Sequence, residues 1–284
     1  MTNVLHPGNL LRIPLRGRLL VRQLDRQAEK YASHPARPEP AISIVIRTKN
    51  DMTFLPQLFQ DIESQEYGAV VEVIVVDTES SDGTAAFARE HGAKVIAITQ
   101  AEFSYPKALN LGFKATSYDY VVTLVGHSTL SSRYFLRAIT SWAQHEHFGG
   151  VYSFYLPNAN AAWVERWTYV VSLYGMWKRP TKISKAVGGA LGANCSMVSK
   201  AAWEACGRYD ERFAGGGEDL ELARAMLRNG YDIYREPLCA VYHSHGLGIV
   251  NAWKQWMHWK EVGKPQPQPF ISGEVLSRRP DLKD

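Results

Sequence analysis

Four short apolar runs constrain the fold of this chain more than any other feature. They are rich in β-branched side chains, as is typical of strands that are buried on both faces. They occupy residues 41–47, 70–76, 95–98 and 120–125. Between the first three runs, residues 53–66 and 84–91 show the apolar spacing of helices. This order predicts an α/β fold, with a parallel sheet joined by right-handed crossovers.

Polar residues follow the ends of these strands. Arg47 and Thr48 end the first strand, and Asp77 ends the second. In such sheets ligands bind at the carboxyl ends of the strands, near a switch point in strand order. Asp77 can therefore accept hydrogen bonds from a ligand, or it can cap the helix that follows, for which Asp82 is the better candidate. Arg47 and Lys107 can bind an anionic ligand or be exposed charges.

A glycine run near the end of the chain leads directly into two carboxylates. Residues 215–217 are all glycine, Glu218 and Asp219 follow, and a helical pattern then runs to Asn229. Glycines allow positive φ and a close approach of the backbone to a ligand. The carboxylates can supply a general base, or they can cap the helix and stabilise its dipole. The six residues alone favour the capping interpretation.

Composition excludes several classes of protein. The chain has 284 residues, of which 45% are hydrophobic and 21% charged, so it can bury a substantial core and is not globally disordered. No apolar run reaches the ~18 residues of a membrane-spanning helix, and the start lacks the features of a signal peptide. The three cysteines have no metal-like spacing and suit a reducing cytoplasm. We therefore expect a cytoplasmic protein.

The positive charge is concentrated in the first 40 residues. They hold seven basic and three acidic residues, which accounts for the whole net charge of +4. Because the remainder is balanced, no nucleic-acid partner is expected. Residues 14–32 read as an amphipathic helix, which can lie on the inner face of an anionic membrane or pack on its own domain or a second subunit in a homodimer. Residues 33–40 are a proline-containing linker.

The second half of the chain is aromatic. Residues 157–187 contain several tryptophans and tyrosines, and the segment 249–284 carries three more tryptophans. These rings can stack on a ligand or meet a membrane interface, or they can be ordinary packing. We expect four parts along the chain: a basic arm at 1–40, halves at 41–130 and 131–248, and a Trp-rich tail at 249–284.

The order of these features resembles that of a family 2 glycosyltransferase with the GT-A fold. The resemblance covers roughly residues 41–246 and is carried by six short stretches. They are SIVIRTKN (43–50), VEVIVVDTESSDGT (71–84), KALNLGFKA (107–115), GANCSMVSKAAWEACGRYDERF (192–213), GGGEDLELARAMLRNGYDI (215–233) and VYHSHG (241–246). The resemblance implies a Rossmann-like, mostly parallel central sheet, a nucleotide-diphosphate sugar donor and inverting transfer.

It also implies roles for individual residues. Asp219 matches the family's general base, and Glu218 orients its neighbours or an acceptor hydroxyl. The donor-binding candidates are Arg47, Thr48, Asn50, Asp77, Thr78, Lys107, Asn110 and His127. The acceptor-binding candidates are Gly216, Gly217, Trp163 and Trp167. Asn110 can equally be a helix-surface asparagine.

The family's Asp-x-Asp metal motif is missing. At its position the chain reads Val125-Gly126-His127, and His243 and His245 are further candidate ligands. A divalent cation such as Mn or Mg can bind through these histidines and the diphosphate, or cations of the protein can stabilise the leaving group without a metal. His127 can also simply hydrogen-bond the donor. Of these, the sequence favours weak or absent metal dependence.

The nucleotide base and the acceptor stay open. Thr78 stands where the family often has a second aspartate for reading uracil, so thymidine-linked and uridine-linked sugars are equally compatible. We expect transfer to a glycan or a lipid-linked acceptor in surface polysaccharide synthesis. The alternative is a catalytically silent GT-A domain that binds nucleotide sugar or scaffolds an assembly complex. Nucleotidyl transfer lacks its glycine- and arginine-rich signature at the first strand exit.

Overall fold

The computed structural model describes residues 38–153, 155–158, 161–162, 165–166, 180–186, 189–246 and 248–262. The strands are β1 Ile42–Thr48, β2 Val71–Thr78, β3 Lys94–Ile98, β4 Tyr120–Val125, β5 Thr129–Leu130, β6 Phe148–Tyr152, β7 Tyr155–Leu156, β8 Thr181–Lys182, β9 Ser196–Ser199, β10 Asp232–Arg235 and β11 Val241–Tyr242. The α-helices are α1 Leu55–Glu63, α2 Thr84–Glu90, α3 Tyr105–Ala115, α4 Phe135–Thr140, α5 Lys200–Ala205, α6 Glu218–Arg228 and α7 Ile249–Val262. Short 3₁₀ turns cover Ser141–Gln144, Glu211–Phe213 and Pro237–Cys239.

An eight-stranded sheet forms the centre of the molecule, in the order β3-β2-β1-β4-β9-β6-β10-β8. Strands β1 to β4 pair in parallel, as predicted, and β6 and β10 also pair in parallel. Strand β9 lies antiparallel between β4 and β6, and β8 is an antiparallel edge. The predicted α/β class with a mostly parallel central sheet is therefore confirmed. A small second sheet has the order β5-β11-β7.

Side chains on alternate positions of β1 enter two different cores. Ile42, Ile44 and Ile46 pack on the face covered by α1 and α4, whereas Val45 packs on the face covered by α3, α5 and α6. This alternation follows from the two-residue period of a strand. Because both faces are covered, all seven residues of β1 are buried. The central strand is therefore a rigid base for the residues at its carboxyl end.

The order of strands in the sheet changes direction at β1. Strands β2 and β3 are added on one side of β1, and β4 then pairs with its other side. Arg47 lies opposite Val125, and Thr48 lies opposite Asp77. The N–H of Gly126 donates to the carbonyl oxygen of Arg47 at 2.9 Å, which ties the two strand exits together. The sheet thus brings the polar strand ends to its switch point, where a ligand is expected.

Several predicted segments differ from the structure in detail. The sequence also predicts a helix near 132–145 and a strand near 150–155. The structure divides the first into α4 and a 3₁₀ turn and the second into β6 and β7. One continuous sheet joins the two predicted halves, and their boundary stays a prediction. The predicted basic helix at 14–32 lies outside the described residues, as do Trp163, Trp167 and 263–284.

None of the helices in the described part of the chain combines the length and the apolar character needed to cross a membrane. Helix α7 occupies the start of the predicted Trp-rich tail. Its Trp253 is 62% exposed.

Candidate active site

A cavity of about 780 Å³ opens at the carboxyl ends of β1 and β4, between them and the start of α6. Ten of the predicted site residues line it, although they come from distant parts of the chain. They are Arg47, Thr48, Thr78, His127, Gly216, Gly217, Glu218, Asp219, His243 and His245. Its volume is in the range of small-molecule sites, which are typically about 300–1,000 Å³.

Asp77 lies behind the cavity rather than among the residues that line it. One of its carboxylate oxygens accepts from the hydroxyl of Thr48 at 3.0 Å, and the other accepts from the N–H of Ser80 at 3.1 Å. Only 3% of Asp77 is exposed. The contacts seen here fix the loop after β2, and a role in binding a donor stays a prediction.

Asn50, Lys107 and Asn110 are likewise not among the lining residues. Asn50 bonds to the loop 80–81, and Lys107 forms an ion pair with Glu102 at 3.6 Å. Buried Asn110 donates to the carbonyl oxygen of Tyr209 and accepts from its N–H. The predictions for these three residues are not tested by this arrangement, which shows only that their contacts lie within the protein.

Arg47 is the most buried cation on the cavity wall, with 9% of its surface exposed. Its Nη2 donates to Oδ1 of Asn194 at 3.2 Å, and its guanidinium carbon lies 5.0 Å from the centre of the Tyr105 ring. Its Nε–H has no hydrogen-bond partner in the described structure. A buried guanidinium with donor capacity left over is suited to binding a ligand anion.

Glu218 and Asp219 begin α6 immediately after two glycines in unusual conformations. Gly216 has φ of 127° and Gly217 of 95°, values that side-chain-bearing residues rarely adopt. The N-cap residue is Gly217, and both carboxylates lie in the first turn of the helix. Asp219 Oδ1 accepts from the N–H of Leu220 at 2.7 Å. The glycines bring both carboxylates to the cavity wall.

Burial changes the acidity of both carboxyl groups. For Glu218, burial and then the Asp219 carboxylate raise the pKa to about 7, although Arg47 opposes the shift. Burial also raises the pKa of Asp219, and the Leu220 N–H and Arg47 lower it in part. A pair of close carboxylates titrates as a unit, so the two groups share a site with an affinity for protons above that of an ordinary carboxylate.

Three histidines also line the cavity. The Nε2 atoms of His127 and His243 are 3.1 Å apart, and one ligand atom from each of His127, His243 and His245 lies within 4.8 Å of the others. His243 is 4% exposed, and its Nδ1 has no hydrogen-bond partner among the described residues. Burial, followed by neighbouring positive groups, lowers the pKa of His243, so its ring is neutral at physiological pH.

Asp51, which the sequence analysis did not name, completes this cluster. Its Oδ1 is 3.0 Å from Nδ1 of His127, and its own N–H donates to Thr84 Oγ1. A Cβ built on Gly126 would lie 2.4 Å from Oδ2 of Asp51. Gly126 is therefore required for this arrangement, in which a carboxylate from the loop after β1 enters the place beside His127.

The chemistry of these donors fits some metal ions and not others. Neutral imidazoles suit ions such as zinc, copper, iron and nickel, whereas magnesium prefers oxygen ligands. The residues present thus fit a divalent transition-metal ion.

Other cavity residues were missed as well. The polar and aromatic ones are Lys49, Gln100, Phe103, Tyr105, Tyr155 and Asn194. Lys49 donates to the Gln100 side chain, and Asn194 holds Arg47. Lys49 and Asp51 follow β1 directly, so their position after a strand was an available signal, but Asn194 belongs to a loop whose path depends on tertiary packing.

Comparison with known proteins identifies relatives of this chain. The family model described as glycosyl transferase family 2 matches residues 43–201. A 4,4'-diaponeurosporenoate glycosyltransferase of Staphylococcus haemolyticus is 32% identical over 115 residues, which are 38% of this chain. The matched stretch spans only 30% of that relative's length.

Solved structures with the same fold are more distant in sequence. The mannosyltransferase PcManGT of Pyrobaculum calidifontis, in complex with GDP-Man and Mn²⁺, has a TM-score of 0.58 and 17% identity, over 86% of this chain and 70% of its own. S. aureus TarS 1–349 in complex with UDP has a TM-score of 0.55 and 16% identity, over 72% and 60%. Mannosyl-3-phosphoglycerate synthase of Rubrobacter xylanophilus has a TM-score of 0.54 and 14% identity, over 87% and 78%.

Proposed function

This chain belongs to glycosyl transferase family 2, and we propose that it is a glycosyltransferase that transfers a sugar, with inversion, from a nucleotide diphosphate to an acceptor hydroxyl. One observation carries the proposal. The acidic pair Glu218 and Asp219 lines the same cavity as Arg47, a buried cation at the end of the central strand. A base and an anion-binding group of the protein can thus act on the same bound substrate.

The ligands of solved structures with the same fold support a nucleotide-sugar donor. PcManGT binds GDP-Man and TarS binds UDP in their solved structures. Here Thr48 and Thr78 end neighbouring strands and line the cavity, where the family's often-used second aspartate is replaced by Thr78. A hydroxyl reads a base or ribose less selectively than a carboxylate does. Uridine-linked and thymidine-linked donors are therefore both included in the proposal.

Asp219 is the proposed general base. It would take the proton of the acceptor hydroxyl while that oxygen attacks the anomeric carbon from the side opposite the nucleotide. The new C–O bond forms as the bond from the sugar to the diphosphate breaks, and the electron pair leaves with the nucleotide diphosphate. The raised pKa of Asp219 makes it a stronger base than an exposed carboxylate. Glu218, which is more buried, would orient Asp219 or the acceptor.

The leaving diphosphate requires positive charge. Arg47 and Lys49 both line the cavity, and the Nε–H of Arg47 has no hydrogen-bond partner in the described structure. Their charges would stabilise the negative charge that develops as the bond breaks. A divalent cation held by His127, His243 and His245 would, when bound, add Lewis-acid stabilisation to the same group.

The acceptor is proposed to be a glycan or a lipid-linked sugar of a surface polysaccharide. The left-handed backbone at Gly216 and Gly217 lines the cavity next to the proposed base, where an acceptor hydroxyl must arrive. Trp163 and Trp167 are retained as candidate contacts. Attachment of the N-terminal arm to a membrane or to a second subunit belongs to the same proposal.

A donor screen tests this function. Purified chain is heated in the presence of nucleotide diphosphates and nucleotide sugars, since a ligand that binds the folded state raises Tm. The best donor is then offered with oligosaccharide and lipid-linked acceptors, and the product's anomeric configuration is determined by NMR. We expect selective stabilisation and an inverted linkage. A retained linkage would contradict the mechanism, and binding without transfer would favour the silent scaffold.

A further inference from the structure

We propose that His127, His243 and His245 form a site for a divalent transition-metal ion, and that Asp51 positions His127 for it. The proposal deepens the proposed function, on which the metal's role at the diphosphate rests. Binding of the metal itself requires only the cluster. The argument uses the cluster's geometry, its hydrogen bonding and the identity of its donors.

The two closest ring nitrogens have the spacing of shared ligands. In a tetrahedral site with Zn–N bonds of about 2.0–2.1 Å, two imidazole nitrogens lie about 3.3 Å apart. The Nε2 atoms of His127 and His243 are 3.1 Å apart. His245 is the exposed member, so a rotation of its side chain can bring it to the same centre. Little rearrangement of the buried pair is therefore needed.

Asp51 determines which nitrogen of His127 is available. An ionised carboxylate only accepts hydrogen bonds, so Nδ1 of a neutral His127 carries the proton that faces Asp51 Oδ1. Its Nε2 then presents a lone pair toward His243. Carboxylate–histidine pairs of this kind orient metal ligands and increase their basicity. Asp51 is thus a positioning residue, which acts on the metal through His127.

Hydrogen bonds within the cluster leave His243 incompletely satisfied. If its Nε2–H donates to His127, its Nδ1 is a buried acceptor without a partner in the described structure. If its proton is on Nδ1, the Nε2 lone pairs of the two rings face each other at 3.1 Å. A cation between the rings uses both lone pairs, which removes this repulsion.

Gly126 connects this cluster with the missing aspartates. A side chain at residue 126 would collide with Asp51, whose Cγ lies 2.8 Å from the position of such a Cβ. The loop after β1 therefore provides the carboxylate of this region, and it does so as a partner of His127 rather than as part of an Asp-x-Asp pair. This exchange changes the first ligands from oxygen to nitrogen.

The donor set selects the class of metal. Nitrogen ligands favour ions such as Zn²⁺, Co²⁺ or Ni²⁺ and disfavour Mg²⁺, which requires oxygen ligands. Three protein ligands leave at least one coordination position open, as in catalytic zinc sites. An oxygen of a diphosphate can fill this position.

Titration with Co²⁺ alone tests the site without donor or acceptor. Metal-free chain is titrated while visible d–d absorption and heat are recorded. We expect one ion per chain, displacement by Zn²⁺ and no displacement by a large excess of Mg²⁺. Asp51→Asn should weaken binding by about 10–100-fold, as is usual for the partners of metal-ligating histidines. Absence of stoichiometric binding to the wild-type chain would overturn the site.

Matched variants separate a specific effect from a general one. Asp119→Asn and His91→Ala change exposed residues of the same types and should leave Co²⁺ affinity unchanged. His245→Ala alters an exposed ligand and should weaken binding at least tenfold, which provides a second test if Asp51→Asn does not fold. Unchanged affinity in His245→Ala would contradict the three-histidine site.

The role of Asp51 has its own readout in the unmodified protein. Nitrogen chemical shifts of the metal-free chain should show His127 protonated on Nδ1, and protonation on Nε2 would overturn the positioning role. Transfer is assayed separately in excess chelator and with each metal. Co²⁺ binding without any sugar transfer would refute the proposed function alone, whereas transfer without Co²⁺ binding would refute this inference alone.

Discussion

Two neighbouring groups of polar residues lie at the same edge of the sheet. The hydrogen bonds of one group, the loop group, are satisfied within the protein, and those of the other, the cavity group, are not. In the loop group, Asp77 accepts from Thr48 and Ser80, and Asp82 accepts from Thr84 and Met52. In the cavity group, atoms of Arg47 and His243 have no partner among the described residues, and the Glu218–Asp219 pair holds protons unusually tightly. The loop group is complete without a ligand.

The difference indicates that the loop group contributes to stability and the cavity group to binding and catalysis. A satisfied polar network fixes the shape of a loop and contributes to stability. Unsatisfied or strongly perturbed groups are destabilising by themselves and gather where a ligand or a reaction uses them. Substitutions in the cavity group should therefore change catalysis with little loss of stability, and substitutions in the loop group should do the reverse.

The largest expected effect is that of Asp219→Asn. The amide keeps the shape and can still accept from the Leu220 N–H, but it cannot take a proton. Loss of a general base typically lowers rates by about 10²–10⁴-fold. We expect kcat to fall by this amount while donor Kd changes less than threefold, measured by a radiolabel transfer assay and calorimetry.

Glu221→Gln is the matched control for this variant. Glu221 lies two residues further along α6 and forms ion pairs with Arg224 and Arg228 on the surface. Its activity should remain close to that of the wild type. Equal losses in the two variants would indicate a general effect on α6 and would contradict the role of Asp219.

Removal of the buried cation should have the next largest effect. Arg47→Gln takes away the charge expected to stabilise the leaving diphosphate, and loss of one such group costs about 10²–10³ in kcat. Steady-state kinetics with a saturating donor measure the loss, with the exposed Lys114→Gln in α3 as control. An Arg47→Gln enzyme of normal kcat would remove this residue from the mechanism.

Asp77→Ala should act mainly on stability. It leaves the Thr48 hydroxyl and the Ser80 N–H without their acceptor, at a cost of about 1–3 kcal/mol in the free energy of unfolding. Urea denaturation measures this change, and Asp119→Asn provides a surface control. Unchanged stability together with lost donor binding would show that Asp77 binds the donor instead of fixing the loop.

The smallest effect is a displaced pH profile. A base is active when deprotonated, so a raised carboxylate pKa means that activity is lost as pH falls through that raised value. We expect kcat/KM to fall on the acid side with an apparent pKa above about 3.9, the ordinary value for Asp. Activity should increase toward neutral pH as the carboxylate pair loses a proton. A limb below pH 4, or activity that decreases as the pH rises through 7, would contradict this assignment.

Much of the fold was predictable because the buried strands are contiguous in sequence. Residues 41–47 and 120–125 are apolar runs whose burial requires covered sheet faces, and they became β1 and β4 as expected. The antiparallel insertion of β9 was not predictable, since its orientation depends on a long excursion between β6 and β9. The two-residue strands β5 and β8 are too short to leave a pattern.

The site was predictable only where local sequence places a side chain. Arg47 follows directly from a strand end, and Glu218 and Asp219 from a glycine run. The partnership of Asp51 with His127 depends on contact between residues 76 positions apart. The absence of a side chain at Gly126 makes that contact possible, and a lone glycine after a strand indicates no particular partner.

The central claim is tested most directly by a structure of the Asp219→Asn variant with an intact nucleotide-sugar donor. The diphosphate should contact Arg47 on the side of the histidine cluster, and residue 219 should face the anomeric carbon from the side opposite the diphosphate. A donor bound outside this cavity, or residue 219 on the same face as the leaving group, would contradict the account.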